Sequence, residues 1–136
     1  MSRKASPDFF IIGAPKCGTS ALATYLSAHP DVQFSKSKEP NFFSRDLDFF
    51  RFSGTHEEYM DEYFPGQHDT LLLGEGTPFY LYSEVAVPAI LAQNPAAKFI
   101  VMLRNPVEQV VSMHAQRLLN SHEDREDFGT AWQLQD

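Results

Sequence analysis

Cysteine is almost missing: Cys17 is the only one in 136 residues. No intrachain disulfide can form, so nothing ties the chain to an oxidising compartment. One thiol beside 5 scattered histidines also lacks the spacing of a metal site, and no metal is expected. Basic charge is scarce, with 11 Lys and Arg against 18 Asp and Glu and a net charge of -7. That excludes a general nucleic-acid or anionic-membrane binder. A local cationic pocket for a small anion stays open, because net charge is silent about a pocket. Long apolar runs are absent too. Phe9-Phe10-Ile11-Ile12 is far too short to span a bilayer or form a signal core. With no signal or membrane segment in view, a cytoplasmic location is expected.

What is present suffices for a folded domain. Hydrophobic residues make up 43% of the chain and charged residues 21%. A chain of this size buries about 68% of its unfolded surface, enough for a real core. At roughly 100–200 residues per domain, the length allows one domain or part of one.

The pattern along the chain alternates strands and helices. Asp8–Ile12 reads as a buried strand ending at Gly13. Thr19–Ala28 has helical spacing, with Leu22, Tyr25 and Leu26 on one face, and Pro30 ends it. Short strands are expected at Val32–Phe34 and Thr70–Gly74, and the clearest strand at Lys98–Leu103. Helices are expected over Thr55–Tyr63, over Glu84–Ala92 despite Pro88, and from Asn105-Pro106 to about Leu119. The aromatics Phe49, Phe50, Phe52, Tyr59, Tyr63 and Phe64 read as core or lid packing, and Trp132 as packed. Residues 1–7 read as a loose tail. This alternation points to βαβ units around a parallel sheet, an α/β fold. A further helix begins at Phe128–Leu134, where the sequence stops, so the expectation is the N-terminal part of a larger domain.

The strongest local signal is Gly13-Ala14-Pro15-Lys16-Cys17-Gly18-Thr19-Ser20, between a strand and a helix. A loop there aims backbone N–H groups and a helix N-terminus at an anion. Its two glycines match the nucleotide-triphosphate loop G-x-x-x-x-G-K-[ST], but Thr19 stands where that pattern has lysine. The lysine lies inside the loop instead, at Lys16. The second signal is Arg104, directly after the expected strand Lys98–Leu103. A magnesium-dependent NTPase usually places an acidic residue there to hold the metal. Ser112 follows eight residues on, about two helical turns away. Arg104 and Ser112 facing the crevice would grip a second phosphate; the plainer alternative is an Arg104–Glu108 ion pair. Two anion sites at the carboxyl ends of two parallel strands match where open α/β sheets bind ligands.

These residues resemble the sulfotransferases that use 3′-phosphoadenosine 5′-phosphosulfate (PAPS). Pro15 to Leu22 looks like the family's 5′-phosphosulfate loop, and Arg104-Asn105-Pro106-Val107-Glu108 through Ser112 like its 3′-phosphate motif. Lys38-Glu39-Pro40-Asn41-Phe42-Phe43 and Gly74-Glu75-Gly76-Thr77-Pro78-Phe79-Tyr80 resemble segments of the heparan-sulfate-type branch and its bacterial relatives. The resemblance implies a Rossmann-like P-loop fold of three layers, incomplete at its C-terminus. It also implies sulfuryl transfer from PAPS to a hydroxyl or amine, a carbohydrate among the candidate acceptors. Donor-binding residues would be Lys16, Cys17, Gly18, Thr19, Ser20, Arg104 and Ser112. Lys16 would also stabilise the leaving phosphate, Lys38 would reach the sulfate or acceptor, and Glu75 would be the catalytic base at a strand end facing the crevice.

The chain departs from the branch at Gly76, where lysine is common. The family's later basic loop and its acceptor-binding half have no counterpart before Asp136. Two alternatives stand: a P-loop nucleotide kinase or NTPase, and a truncated, non-catalytic nucleotide-binding remnant.

Overall fold

A computed structural model of the chain describes residues 4–48, 51–67 and 71–135. Four parallel strands form one sheet: β1 (Phe9–Gly13), β2 (Val32–Phe34), β3 (Leu72–Gly76) and β4 (Lys98–Val101), in the order β2-β3-β1-β4. The helices are α1 (Thr19–Ser27), α2 (His56–Tyr63), α3 (Ala86–Gln93), α4 (Pro106–Leu119) and α5 (Phe128–Gln133), with a 3₁₀ turn at Pro78–Tyr82.

Alternation along β1 sends its side chains to both faces. Phe10 and Ile12 enter a core built with Tyr59, Met60 and Phe64, Phe42 and Phe43, and Ala86 and Ile90 of α3. Aromatics dominate it: Phe42 stacks on Tyr59 at 4.5 Å and Phe10 on Phe99 at 6.1 Å. Such pairs add about 0.5–1.5 kcal/mol beyond their buried area. On the other face α1 packs against β1 and β2. Helices on both faces make three layers, as expected for an α/β fold of this type. Gly74 is required by close approach, since a Cβ there would stand 2.1 Å from the Phe9 ring.

Local chemistry explains the helix starts. Thr55 caps α2 in a reciprocal box with Glu58. Pro106 opens α4 behind Asn105, whose side chain accepts from the Val107 N–H at 3.0 Å. Pro88 sits in the first turn of α3, where its missing N–H breaks no helical bond.

Several expectations are corrected. β3 covers Leu72–Gly76, so Glu75 lies inside the strand, not after it; Thr70, its expected start, is outside the described residues. β4 ends at Val101, two residues short of the expected Leu103, although Met102 still exchanges backbone bonds with Gly13 and Ala14. Tyr25 is 73% exposed, and Ala23 is the buried apolar contact of α1. From Lys4 onward the expected loose tail is tied down: Lys4 pairs with Asp8 at 2.6 Å, and Asn94 donates to the Pro7 carbonyl at 2.9 Å. Trp132 is half exposed, touching Phe128. Phe52, Tyr59, Tyr63 and Phe64 do pack together; Phe49 and Phe50 lie outside the described residues. No described helix is long and apolar enough to cross a membrane.

Candidate active site

The loop between β1 and α1 begins the site. Gly18 is the N-cap of α1 at φ 83, a left-handed conformation that glycine takes without steric cost. Lys16 adopts φ 63, uncommon for a residue with a side chain. The loop is held by the segment that follows β4. Gln109 of α4 donates to the Pro15 carbonyl at 2.8 Å, and Arg104 donates to the Lys16 carbonyl at 3.2 Å. The Lys16 ammonium donates to Gln116 Oε1 at 3.2 Å.

Above the loop opens a groove of about 980 Å³. Its walls bring together Lys16, Gly18, Thr19 and Ser20 from the loop with Arg104 and Ser112 from the α4 side, and Arg117, Gln116 and Asn120 extend it along α4. Six of the expected donor-binding residues therefore share one cavity. Arg104 also pairs with Glu108 at 3.2 Å, so the plainer reading and the groove-facing one hold together. Cys17 is the exception. It is 7% exposed, its thiol turns to the Pro15 carbonyl at 3.4 Å and its N–H to the Ala14 carbonyl at 3.3 Å, and it does not line the groove.

Two carboxylates near the strand ends part company. Glu75 is fully buried and does not line the groove. Its register opposite Phe10 turns it into the aromatic core. There it accepts hydrogen bonds from Tyr59 at 2.6 Å, Tyr80 at 3.1 Å and Thr77 at 2.5 Å. Burial pushes its carboxyl up to about 7, against those three hydroxyl donors, which lower it. The same burial, with the Glu75 charge beside them, drives Tyr59 and Tyr80 well above the ordinary phenol range. The expectation that Glu75 faces the crevice is thus corrected: its place within β3, in register with Phe10, sends the side chain into the core.

Glu39 is the groove's only carboxylate among the described residues. It sits at φ 60, two residues before Asn41 at φ 52. Its N–H donates to the Gly76 carbonyl at 3.0 Å, which anchors this tight loop to the end of β3. The Asn41 amide donates to the Glu39 carbonyl at 2.9 Å. Left-handed conformations at two such residues cost of order 1–3 kcal/mol each, and persist where surrounding contacts impose them. Lys38 bridges outward: its ammonium donates to Ser20 Oγ and lies 3.8 Å from Glu39 Oε1. A carboxylate, an ammonium and a loop hydroxyl thus form a chain into the loop between β1 and α1. Glu39 was visible only as part of the Lys-Glu-Pro segment; its two-residue offset from Asn41 carries no periodicity to mark it. No described group of three or more His, Cys, Asp or Glu is placed to hold a metal ion.

The family model for the sulfotransferase domain matches residues 6–135. The chain belongs to the sulfotransferase family. A crystal structure of a sulfotransferase from Alicyclobacillus acidocaldarius superposes with a TM-score of 0.78 at 34% identity, over 93% of this chain and 54% of that one. Carbohydrate sulfotransferase 15 from Homo sapiens is 31% identical over 163 residues, covering 90% of this chain and 29% of its own. Heparan sulfate glucosamine 3-O-sulfotransferase 6 from Mus musculus is 36% identical over 116 residues, 85% of this chain and 32% of its own. This sulfotransferase chain spans about a third of the curated relatives' length and about half of the bacterial structure's. The groove lies at the carboxyl ends of β1 and β4, the position at which open α/β sheets bind ligands.

Proposed function

We propose that the chain binds PAPS in this groove and takes part in sulfuryl transfer to a carbohydrate hydroxyl or amine. The observation that carries the reading is the meeting of Lys16 and Ser20 with Arg104 and Ser112 in one cavity. A donor with a 5′-phosphosulfate and a 3′-phosphate needs two cationic sites held by one scaffold. Lys16 and the loop N–H groups suit the 5′ end, at a helix N-terminus that favours anions. Arg104 and Ser112 suit the 3′-phosphate, through charge-assisted and hydroxyl hydrogen bonds. The acceptor class is supported by the similar proteins, a carbohydrate and a heparan sulfate sulfotransferase.

In the proposed reaction an acceptor oxygen or nitrogen attacks sulfur as the bond from sulfur to the bridging oxygen breaks. The electron pair leaves with adenosine 3′,5′-bisphosphate, where Lys16 meets the developing negative charge. The acceptor's proton goes to a carboxylate. Glu39 is our candidate base, because it lines the groove and is tied through Lys38 to the anion loop. Glu75 remains the second reading, favoured by a carboxyl raised to about 7, close to a working pH. Lys38 would steer the transferring group or the acceptor.

Calorimetry with adenosine 3′,5′-bisphosphate and with ATP–Mg²⁺ tests the donor. Selective binding of the bisphosphate supports the reading, and selective binding of ATP–Mg²⁺ replaces it with nucleotide phosphate chemistry. Binding of the bisphosphate without any PAPS turnover would leave the chain a donor-binding unit only.

A further inference from the structure

Gln116 has no role in the chemistry above, yet it is the side chain that holds Lys16. Its Oε1 accepts from the Lys16 ammonium at 3.2 Å, across 100 positions of sequence. The amide is itself oriented. Its Nε2 donates to Asn120 Oδ1 at 3.1 Å, one turn further along α4, so the oxygen is the end that faces the lysine. The loop backbone is gripped from the same segment, through Gln109 on the Pro15 carbonyl and Arg104 on the Lys16 carbonyl. Lys16 needs such support at φ 63, because nothing intrinsic to lysine favours that conformation.

We propose that Gln116 is a positioning residue, aiming the Lys16 ammonium into the groove while leaving its charge uncompensated. The catalytic half of this rests on the sulfuryl-transfer reading; the hold on the ammonium does not. The choice of a neutral acceptor matters. An ammonium has three N–H donors, and an amide oxygen occupies one of them. The others stay available to an anion. A carboxylate at position 116 would fill the same space and cancel the charge that the anion must meet. Among the described residues Lys16 has no carboxylate partner, whereas Lys4, Lys36, Lys38 and Arg104 each have one.

The test is competitive acetylation of the chain with trace acetic anhydride across a pH series, read lysine by lysine by peptide mass spectrometry. Lys36 and Lys98 serve as internal references. Gln116→Met keeps the length of the side chain and loses the amide oxygen, so Lys16, released from its acceptor, should acylate faster. Gln116→Glu should make it slower, with the references unmoved in both. With PAPS as donor, Gln116→Met should lower kcat by about 10²-fold, the scale of a misplaced catalytic group, with a far smaller change in KM for PAPS. Gln116→Glu should also weaken binding of adenosine 3′,5′-bisphosphate. An unchanged Lys16 labelling profile in both variants overturns the positioning role whatever the turnover does. Altered labelling with wild-type kcat overturns its catalytic half. Altered labelling in a protein that neither binds the bisphosphate nor turns over PAPS overturns the sulfuryl-transfer reading and leaves the positioning role standing.

Discussion

The hydroxyl of Tyr59 donates to a carboxylate oxygen of Glu75 at 2.6 Å, joining α2 to β3 inside the aromatic core. Among the described residues no cation pairs with Glu75: its partners are Tyr59, Tyr80 and Thr77. The pair therefore stabilises unevenly with pH. Burial raises the Glu75 carboxyl from 4.5 to about 7 on folding. Between those values the native state binds more protons than the unfolded chain. Stability is then greatest below 4.5, falls as pH rises toward 7, and levels off above it. A shift of that size corresponds to about 3 kcal/mol. Urea midpoints at pH 5 and pH 8 should differ in that direction, and Glu75→Gln should flatten the difference. An equal slope in the variant would mean that another group carries it.

Lys16→Ala should leave the thermal midpoint nearly unchanged, since it removes one partly exposed hydrogen bond to Gln116. Its effect on PAPS turnover should be large. Losing one electrostatic contact to a developing negative charge costs about 10²–10³ in rate. Steady-state kinetics beside a melting curve checks both halves, and near-normal turnover would remove Lys16 from the mechanism.

Arg104→Ala should weaken binding of adenosine 3′,5′-bisphosphate and spare adenosine 5′-phosphate. A hydrogen bond to a charged group is worth about 1.5–3 kcal/mol. The ion pair with Glu108 is lost as well, but it is exposed and worth little to stability. Titration calorimetry with both ligands separates the outcomes. Equal losses would show that Arg104 acts on the loop through the Lys16 carbonyl and not on a 3′-phosphate.

Glu39→Gln should keep affinity for the bisphosphate and lose transfer, because Gln is nearly isosteric and cannot take a proton. General-base contributions run about 10²–10⁴-fold, and the loss should fall on kcat. The acidic limb of the pH–rate profile should vanish with it. If Glu75→Gln, still folded, removes that limb and Glu39→Gln does not, the base is Glu75, acting from the core.

Much of this was legible before any coordinates. The order of strands and helices followed from runs such as Phe9–Ile12 and Lys98–Leu103 and from the prolines that open α4 or end α1. The anion loop was legible because its chemistry is local: two glycines, a lysine and hydroxyls between a strand and a helix. Arg104 and Ser112 were legible as a pair because helical spacing links them. Those features depend on neighbours in sequence, where backbone preference and side-chain period act directly.

What stayed hidden depends on register and on partners far along the chain. β3 runs on to Gly76, so Glu75 lies within the strand on the same face as buried Leu73, locked among Tyr59, Tyr80 and Thr77. Apolar runs do not mark their own ends, so no pattern in Leu71-Leu72-Leu73-Gly74 decides where β3 stops. Glu39 enters the groove only because its N–H is fixed to Gly76 of another strand. Gln116 meets Lys16 only because β4 lies beside β1 and carries α4 to the loop. The sequence by itself determined the order of the elements and the glycine-lysine-hydroxyl loop between β1 and α1, since those are written in adjacent residues. The tertiary structure alone decided which carboxylate faces the groove and what holds the lysine, because both are contacts between segments that the chain joins only by folding.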